Sequence, residues 1–253
     1  MQKTYVITGC SARNNLAYKI AEQIVKLDPN AKIIAISNPK HFRRDITIEL
    51  GGIIKYFYFA DFTEEYDSAL KMIAIKNPVM HALINCAGLN GNSWFENMQE
   101  KEWDNIMSVN VKAMYKTSQA FLPNLTRATG TILNIVSNAA RIPMRCSTAY
   151  NASKSAAQML TYQLARELTQ KQNITVFSIS PNKIAGTEMS KQVDDKTPDL
   201  RGWTKDQSDE YQKAGLITGV ETDPDVLAEF IAFLLSTKER HFHLSGCDIH
   251  YGA

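Results

Sequence analysis

The chain has 253 residues, 44% of them hydrophobic, and 28 basic against 26 acidic side chains leave a formal net charge of +2. That balance excludes a strongly basic surface for nucleic acid or anionic membrane, and the apolar share is enough for one sizeable core. No apolar run approaches the roughly eighteen residues of a membrane span, and the chain opens directly into a strand pattern with no secretory leader, so a cytosolic location is expected.

In chain order, the hydrophobic pattern predicts a strand at 3–8, a helix at 16–27, a strand at 32–37 and a weak helix at 41–50. A strand at 53–60, a helix at 64–75 and a strand at 79–85 follow, then a long helical stretch at 99–125 with a break expected near Pro123. Residues 131–137 read as a buried strand, 149–169 as a helix, 174–180 as a strand, 224–235 as a last helix and 247–251 as a last short strand. Alternating strands and helices predict an α/β chain: a single Rossmann-type doubly wound domain, a parallel sheet of about seven strands with helices on both faces. Residues 187–220 are polar and charged, with lone Met189, Trp203 and Tyr211. That segment is too long for an ordinary connection and predicts a lid or substrate loop. No repeat, low-complexity tract or linker divides the chain.

The chemistry concentrates around Tyr150-Asn-Ala-Ser-Lys154 and Ser137. Residues four apart on a helix share a face, so Tyr150 and Lys154 point the same way. A free phenol has a pKa near 10, and a neighbouring ammonium favours the phenolate. Ser137 ends the 131–137 strand, at the carboxyl edge where ligands of open α/β sheets bind. With Asn110 in Ser108-Val-Asn110-Val, Asn85-Cys-Ala-Gly88, Thr8-Gly9 and Ser180-Pro181, these residues make the chain resemble the short-chain dehydrogenase/reductase (SDR) family over nearly its whole length.

The resemblance implies an NAD(P)(H)-dependent oxidoreductase moving a hydride between nicotinamide and a carbonyl or secondary alcohol. Tyr150 would be the acid/base, Ser137 would hold the reacting oxygen, Lys154 would bind the nicotinamide ribose and depress the Tyr150 pKa, and Asn110 would support the lysine through a backbone kink. It implies cofactor contacts at Gly9, Ser11, Arg13, Asn15 and Leu16 in the first loop, at Ser37 and Asn38 after the second strand, and at Asp61 and Phe62 after the third. Asn85, Ala87 and Gly88, with Tyr150, Lys154, Pro181 and Ile184, complete the set. Asp61 also fits a helix cap, through Asp61-x-x-Glu64, and Asn85 a brace between central strands. The family's threonine after the proline comes one residue late, at Thr187, so its contact with the cofactor is in doubt.

The first loop is the least typical segment. Gly9 alone stands where the family carries three glycines, and the helix pattern makes the loop two residues longer, with Asn15 and Ala17 at the later glycine positions. This arrangement resembles the loop of enoyl-acyl-carrier-protein reductases, whose tyrosine and lysine are more widely spaced than Tyr150 and Lys154. Asn15 is read as a helix cap and Ala17 as small enough for close approach. After the second strand no acid is present, whereas Lys40, Arg43 and Arg44 follow and Arg13 is within reach, which favours NADP(H) over NAD(H).

The expected partner is a small carbonyl or alcohol compound, with Arg141 or Arg145 either meeting an anionic substrate or simply solvated. A homotetramer or homodimer is expected from the resemblance. Cys10, Cys86, Cys146 and Cys247 are scattered without a Cys-x-x-Cys pair and read as free thiols. His241-x-His243 reads as a surface turn rather than a metal site. Two other functions stay open: an enoyl-thioester reductase, and a non-enzymatic nucleotide-sensing protein on the same fold.

Overall fold

Aliphatic runs such as Lys32-Ile-Ile-Ala-Ile-Ser37 are apolar at successive positions, which suits strands covered on both faces. In the computed structural model, which describes residues 2–41, 53–54 and 56–252, they form the centre of a seven-stranded sheet in the order β3-β2-β1-β4-β5-β6-β7. The elements are β1 (Thr4–Thr8), α1 (Leu16–Leu27), β2 (Lys32–Ser37), β3 (Tyr56–Phe59), α2 (Asp67–Lys76) and β4 (Ala82–Asn85). Next come α3 (Glu100–Met107), α4 (Ala113–Ala128), β5 (Thr131–Ile135), α5 (Thr148–Gln172) and β6 (Thr175–Pro181). The chain ends with α6 (Glu188–Arg201), α7 (Lys205–Ala214), α8 (Pro224–Ser236), α9 (Lys238–His241) and β7 (Asp248–Tyr251). All six strand pairs are parallel.

Alternation along the strands divides the core into two layers. Tyr5, Ile7, Ile33 and Ala35 pack with α1 and α8 on one face. Val6, Ile34, Ile36 and Leu83 pack with Leu70 of α2, Phe121 of α4 and Leu168 of α5 on the other. This is the expected doubly wound architecture. The order reverses between β1 and β4, so the loops after these two strands face each other across the carboxyl edge.

Several boundaries differ from the sequence prediction. The strands at 53–60 and 79–85 shorten to β3 and β4, and the helix at 64–75 starts later, at Asp67. Tyr66 is buried edge-on against Phe62, with ring centroids 5.0 Å apart, so the chain turns before the helix begins. The break expected near Pro123 does not occur: α4 runs through it, anchored on either side by buried Phe121 and Leu125. The interruption falls instead at Ser108–Lys112, a π-turn between α3 and α4. The predicted helix at 41–50 lies, apart from His41, outside the described residues.

The 187–220 segment is not a loop but two helices. Thr187 caps α6 by accepting from the Ser190 amide at 3.1 Å, Gly202 ends it in the left-handed region, and Thr204 and Gln207 close a reciprocal capping box on α7. The stem of this helical pair is tied by the Ile184–Thr222 bridge and by Lys183, which pairs with Glu221 at 2.7 Å and with Asp194 at 2.5 Å. His241 corrects another expectation. It is 3% exposed rather than on a surface turn, and its ring meets Thr131 Oγ1 at 2.7 Å and the Leu234 carbonyl at 2.6 Å. Charged neighbours at 238–240 disguise it in the sequence. Among the described residues, no helix is long and apolar enough to cross a membrane.

Candidate active site

The carboxyl edge is built on backbone approach. Gly9 has φ +89°, and a Cβ there would lie 2.9 Å from Ala87 Cα and 3.0 Å from Ala87 N. Only glycine combines that conformation with that contact. The approach is locked by Thr8, whose hydroxyl accepts from the amides of Cys86 and Ala87 at 3.1 and 3.0 Å. Thr8 was not singled out from the sequence as a functional group; its position next to the one retained glycine was the available signal.

Asn15 caps α1 as expected. Its Oδ1 accepts from the Tyr18 amide at 3.0 Å, and its Nδ2 donates to the Gly9 carbonyl at 2.8 Å, tying the loop to the start of the helix. A loop of one glycine thus acquires a fixed shape through a side chain. Ser11 and Arg13 lie in this loop, Arg13 exposed, while Leu16 turns its side chain into the core and leaves its backbone at the edge. Asn14 Nδ2 reaches across the edge to the Gly186 carbonyl at 3.1 Å.

Beyond β2, Ser37 is buried and donates to the Cys10 carbonyl at 2.6 Å, and Asn38 accepts from the Lys40 amide. Asp61 does not cap α2. It accepts from the amide and hydroxyl of Thr63 at 3.0 and 2.7 Å within a turn, and pairs with Lys40 at 2.9 Å. Burial opposes its ionisation, but the Thr63 and Lys40 contacts outweigh it and hold the carboxyl at about 2. Phe62 is buried beside it. Arg43 and Arg44 lie outside the described residues.

Asn85 takes the bracing role. It accepts from Thr117 Oγ1 at 2.8 Å and donates to Asn134 Oδ1 at 2.9 Å, and Asn134 donates on to Thr161. This chain of buried bonds ties α4, β4, β5 and α5 together beneath the site. Ala87 and Gly88 complete the edge above it. Pro181 ends β6, and Ile184 pairs with Thr222 beyond it. Thr187 spends its hydroxyl on the α6 cap and on the Ile184 carbonyl at 3.2 Å, so it does not offer the family's contact.

Asn110, Ser137, Tyr150 and Lys154 come together over β4 and β5. Asn110 sits in the π-turn, which is the expected backbone kink, and is 1% exposed. Its Oδ1 accepts from the Leu89 amide at 2.8 Å, while its Nδ2 donates to the Leu89 carbonyl at 2.9 Å and to Ser153 Oγ at 2.9 Å. Ser153 in turn donates to the Tyr150 carbonyl at 2.8 Å. Because its proton is committed there, Ser153 can only accept from Asn110, which fixes the amide orientation. Ser153 was missed in the sequence, although it lies between Tyr150 and Lys154 on the buried side of the same helix.

Lys154 is 4% exposed, donates to the Ile135 carbonyl at 3.1 Å, and lies 5.7 Å from the Tyr150 ring centroid. Burial pushes its pKa down to about 8, opposed by the nearby Cys86. Tyr150 departs from the sequence expectation. Burial raises its pKa, and the group that pulls it back is Ser137 rather than Lys154. Desolvation penalises the phenolate and the ammonium alike. Ser137 also accepts from the Ala139 amide at 3.1 Å, which orients its hydroxyl. Met189 of α6 closes over this cluster, since a Cβ built on Gly88 would meet Met189 Cε, Asn110 Oδ1 and Lys154 Nζ between 3.6 and 3.8 Å.

These features fit a dinucleotide. The Gly9 approach and the capped start of α1 suit a pyrophosphate. Lys154 carries three N–H donors but meets one acceptor among the described residues, which leaves donors for ribose hydroxyls.

Comparison with known proteins gives the same direction. Residues 3–198 match the family model described as short chain dehydrogenase. The chain is 27% identical over 237 residues to 2-(S)-hydroxypropyl-CoM dehydrogenase 3 of Xanthobacter autotrophicus, covering 92% of this chain and 89% of that protein. It is 29% identical over 213 residues to D-beta-hydroxybutyrate dehydrogenase of Rhizobium meliloti, covering 82% and 81%. Among solved structures, a variant of actinorhodin polyketide ketoreductase with NADPH superposes with a TM-score of 0.85 over 99% of this chain and 96% of that one, at 20% identity.

Proposed function

The chain belongs to the short-chain dehydrogenase family, an NAD(P)-dependent oxidoreductase working between carbonyl and alcohol, and we propose that Asn110, Ser137, Tyr150 and Lys154 are its catalytic set, with NADP(H) preferred over NAD(H). The observation that carries this reading is the buried Lys154 beside the partly buried Tyr150, braced by Asn110 through Ser153. A helix with a chance Tyr-x-x-x-Lys has no need of that bracing.

When bound, the nicotinamide supplies or accepts the hydride. The protein does the rest. Tyr150 gives its phenolic proton to a carbonyl oxygen, or takes one from an alcohol; its raised pKa keeps it protonated at neutral pH and suits the reductive direction. Ser137 donates to the same oxygen and holds it against Tyr150. Lys154 would hold the ribose hydroxyls, and the Ser137 hydroxyl, which pulls the Tyr150 pKa down against burial, would steady the tyrosinate once the proton has left. Asn110 and Ser153 keep the lysine-bearing turn of α5 in register with the π-turn.

Gly9, Ser11, Asn15 and Leu16 would cradle the pyrophosphate, and Asp61, Phe62, Ala87 and Gly88 would border the adenosine half. Pro181 and Ile184 would border the carboxamide. Asn85 acts from below, through the sheet. The NADP(H) preference rests on exposed Arg13 beside a strand end that carries Ser37 and Asn38 but no acid, with Lys40 nearby but paired to Asp61. Helices α6 and α7 form the lid over the substrate. The reading extends to a cytosolic homotetramer or homodimer, for which half-exposed Tyr115 on α4 and exposed Met159 on α5 offer apolar surface. The spacing of Tyr150 and Lys154 disfavours an enoyl-thioester reductase.

Fluorescence titration of NADPH and NADH on wild type and Arg13→Ala tests the cofactor assignment. The expected result is tighter NADPH binding that weakens toward the NADH value in the variant. Binding of neither nucleotide would overturn it.

A further inference from the structure

Where α6 ends, two guanidinium groups meet one indole. Arg201 Cζ lies 5.1 Å from the ring centroid of Trp203 and 5.1 Å from that of Tyr211, and Arg145 Cζ lies 5.8 Å from the same Trp203 ring. Arg201 Nη2 donates to the Arg145 carbonyl at 2.8 Å, holding the end of the lid against the loop that runs into Tyr150. The indole N–H of Trp94 donates to the Leu200 carbonyl at 2.8 Å and closes the same junction from the other side.

The charge at this junction is unbalanced. Among the described residues, neither Arg145 nor Arg201 has a carboxylate partner. Arg201 Nε is shut off from water and has no hydrogen-bond partner. Stacking on aromatic rings steadies a guanidinium through its face but leaves its edge donors unused. Two like charges gathered at one ring, neither held in an ion pair among the described residues, form an arrangement that an anion at the open guanidinium edges completes.

The position says which anion. Arg145 precedes Tyr150 by five residues, so their Cα atoms are at most about 18 Å apart. Met189, at the other end of α6, covers Gly88 and Lys154. The helix therefore runs from the hydride-transfer end of the cleft to the arginine pair. We propose that Arg145 and Arg201 form a subsite for the acid group of the substrate, an oxo- or hydroxycarboxylate (or similar monoanion) whose charge lies several bonds from the carbonyl that meets Tyr150. The proposal rests on the oxidoreductase reading and adds the substrate class to it. A neutral ketone of the same length leaves the pair uncompensated, which is how a polar site discriminates.

The test compares a homologous series of oxocarboxylates with their methyl esters, using wild type, Arg145→Gln, Arg201→Gln and Arg145→Lys. Wild type is expected to prefer the acid at one chain length. Each Gln variant should lose about tenfold to a hundredfold more in kcat/KM on that acid than on the ester, the loss of a hydrogen bond to charge. Arg145→Lys should restore part of the loss. Equal losses on acid and ester would show that the stack only holds the lid and would overturn the subsite, as would a wild type indifferent to charge. Failure to turn over any ketone or alcohol with either nucleotide would overturn the oxidoreductase reading, and the subsite with it.

Discussion

Gly9→Ala tests whether the backbone approach at the carboxyl edge is required. Alanine at φ +89° is strained, at about 1–2 kcal/mol. Its Cβ would also stand 2.9 Å from Ala87 Cα and 3.2 Å from the Cys86 carbonyl carbon, both backbone atoms that cannot rotate away. Relief requires moving residues 86–87 off the Thr8 hydroxyl, where both amides are bonded; overpacking of this kind costs about 1–3 kcal/mol more. The reduced freedom of the unfolded chain offsets about 0.4–1 kcal/mol. A net loss of roughly 2–4 kcal/mol follows, or about 4–16 °C in Tm for a chain of this size. Gly186→Ala is the control, because Gly186 has φ +66° but nothing within 4 Å of a built Cβ. It should cost about 1 kcal/mol. Urea denaturation and nucleotide titration on both variants give the comparison. Gly9→Ala should be the less stable protein and should bind nucleotide at least tenfold more weakly, an estimate of about 1.4 kcal/mol at the loop. Equal stability of the two variants would refute the argument from contact.

Three further outcomes are expected. Burial holds the His241 pKa below its ordinary value, so the unfolded chain binds the proton first and stability is lost as pH falls below about 6.5. His241→Gln should flatten, in urea midpoints between neutral and mildly acid pH, the part of that slope that His81, shifted the same way, does not supply. Lys154, with a pKa near 8 in the free protein, should lose its charge above that pH. NADPH affinity should then fall as pH rises through 8 and should become pH-independent there in Lys154→Met. Asn14→Ala removes the bond to Gly186 across the carboxyl edge; stopped-flow release of NADPH should quicken by about threefold to tenfold, the worth of one hydrogen bond, with the association rate unchanged.

The sheet was legible because its strands are buried on both faces and so read as unbroken aliphatic runs; Ile33, Ile34, Ala35 and Ile36 are all 0% exposed. Strand ends were less legible: β3 and β4 are shorter than their apolar runs because apolar residues continue into the adjoining turns. The 187–220 segment was read as a lid or substrate loop without its helices because α6 and α7 are strongly polar and the residues they bury are Ser190, Thr197 and Ser208. Their caps, Thr187, Gly202 and the Thr204–Gln207 box, were the readable signal. The π-turn had none, since it arises from how Asn110 grips both backbone groups of Leu89. Residue types and spacing singled out Asn110, Ser137, Tyr150 and Lys154, which the structure gathers over β4 and β5. The tyrosine's pKa direction was not accessible, because desolvation at the site outweighs the pull of the neighbouring Ser137 hydroxyl. The Arg145–Arg201–Trp203 junction joins segments more than fifty residues apart, and no local pattern announces it.

The most direct test of the catalytic assignment is hydride transfer from NADPH to a ketone by Tyr150→Phe, with nucleotide affinity measured on the same preparation. The phenol's proton is removed while the ring that packs beside Lys154 is kept. The account predicts NADPH binding close to wild type and a turnover rate lower by at least about a hundredfold, the range of a lost general acid. Turnover near the wild-type rate would contradict it and take the acid–base role away from Tyr150.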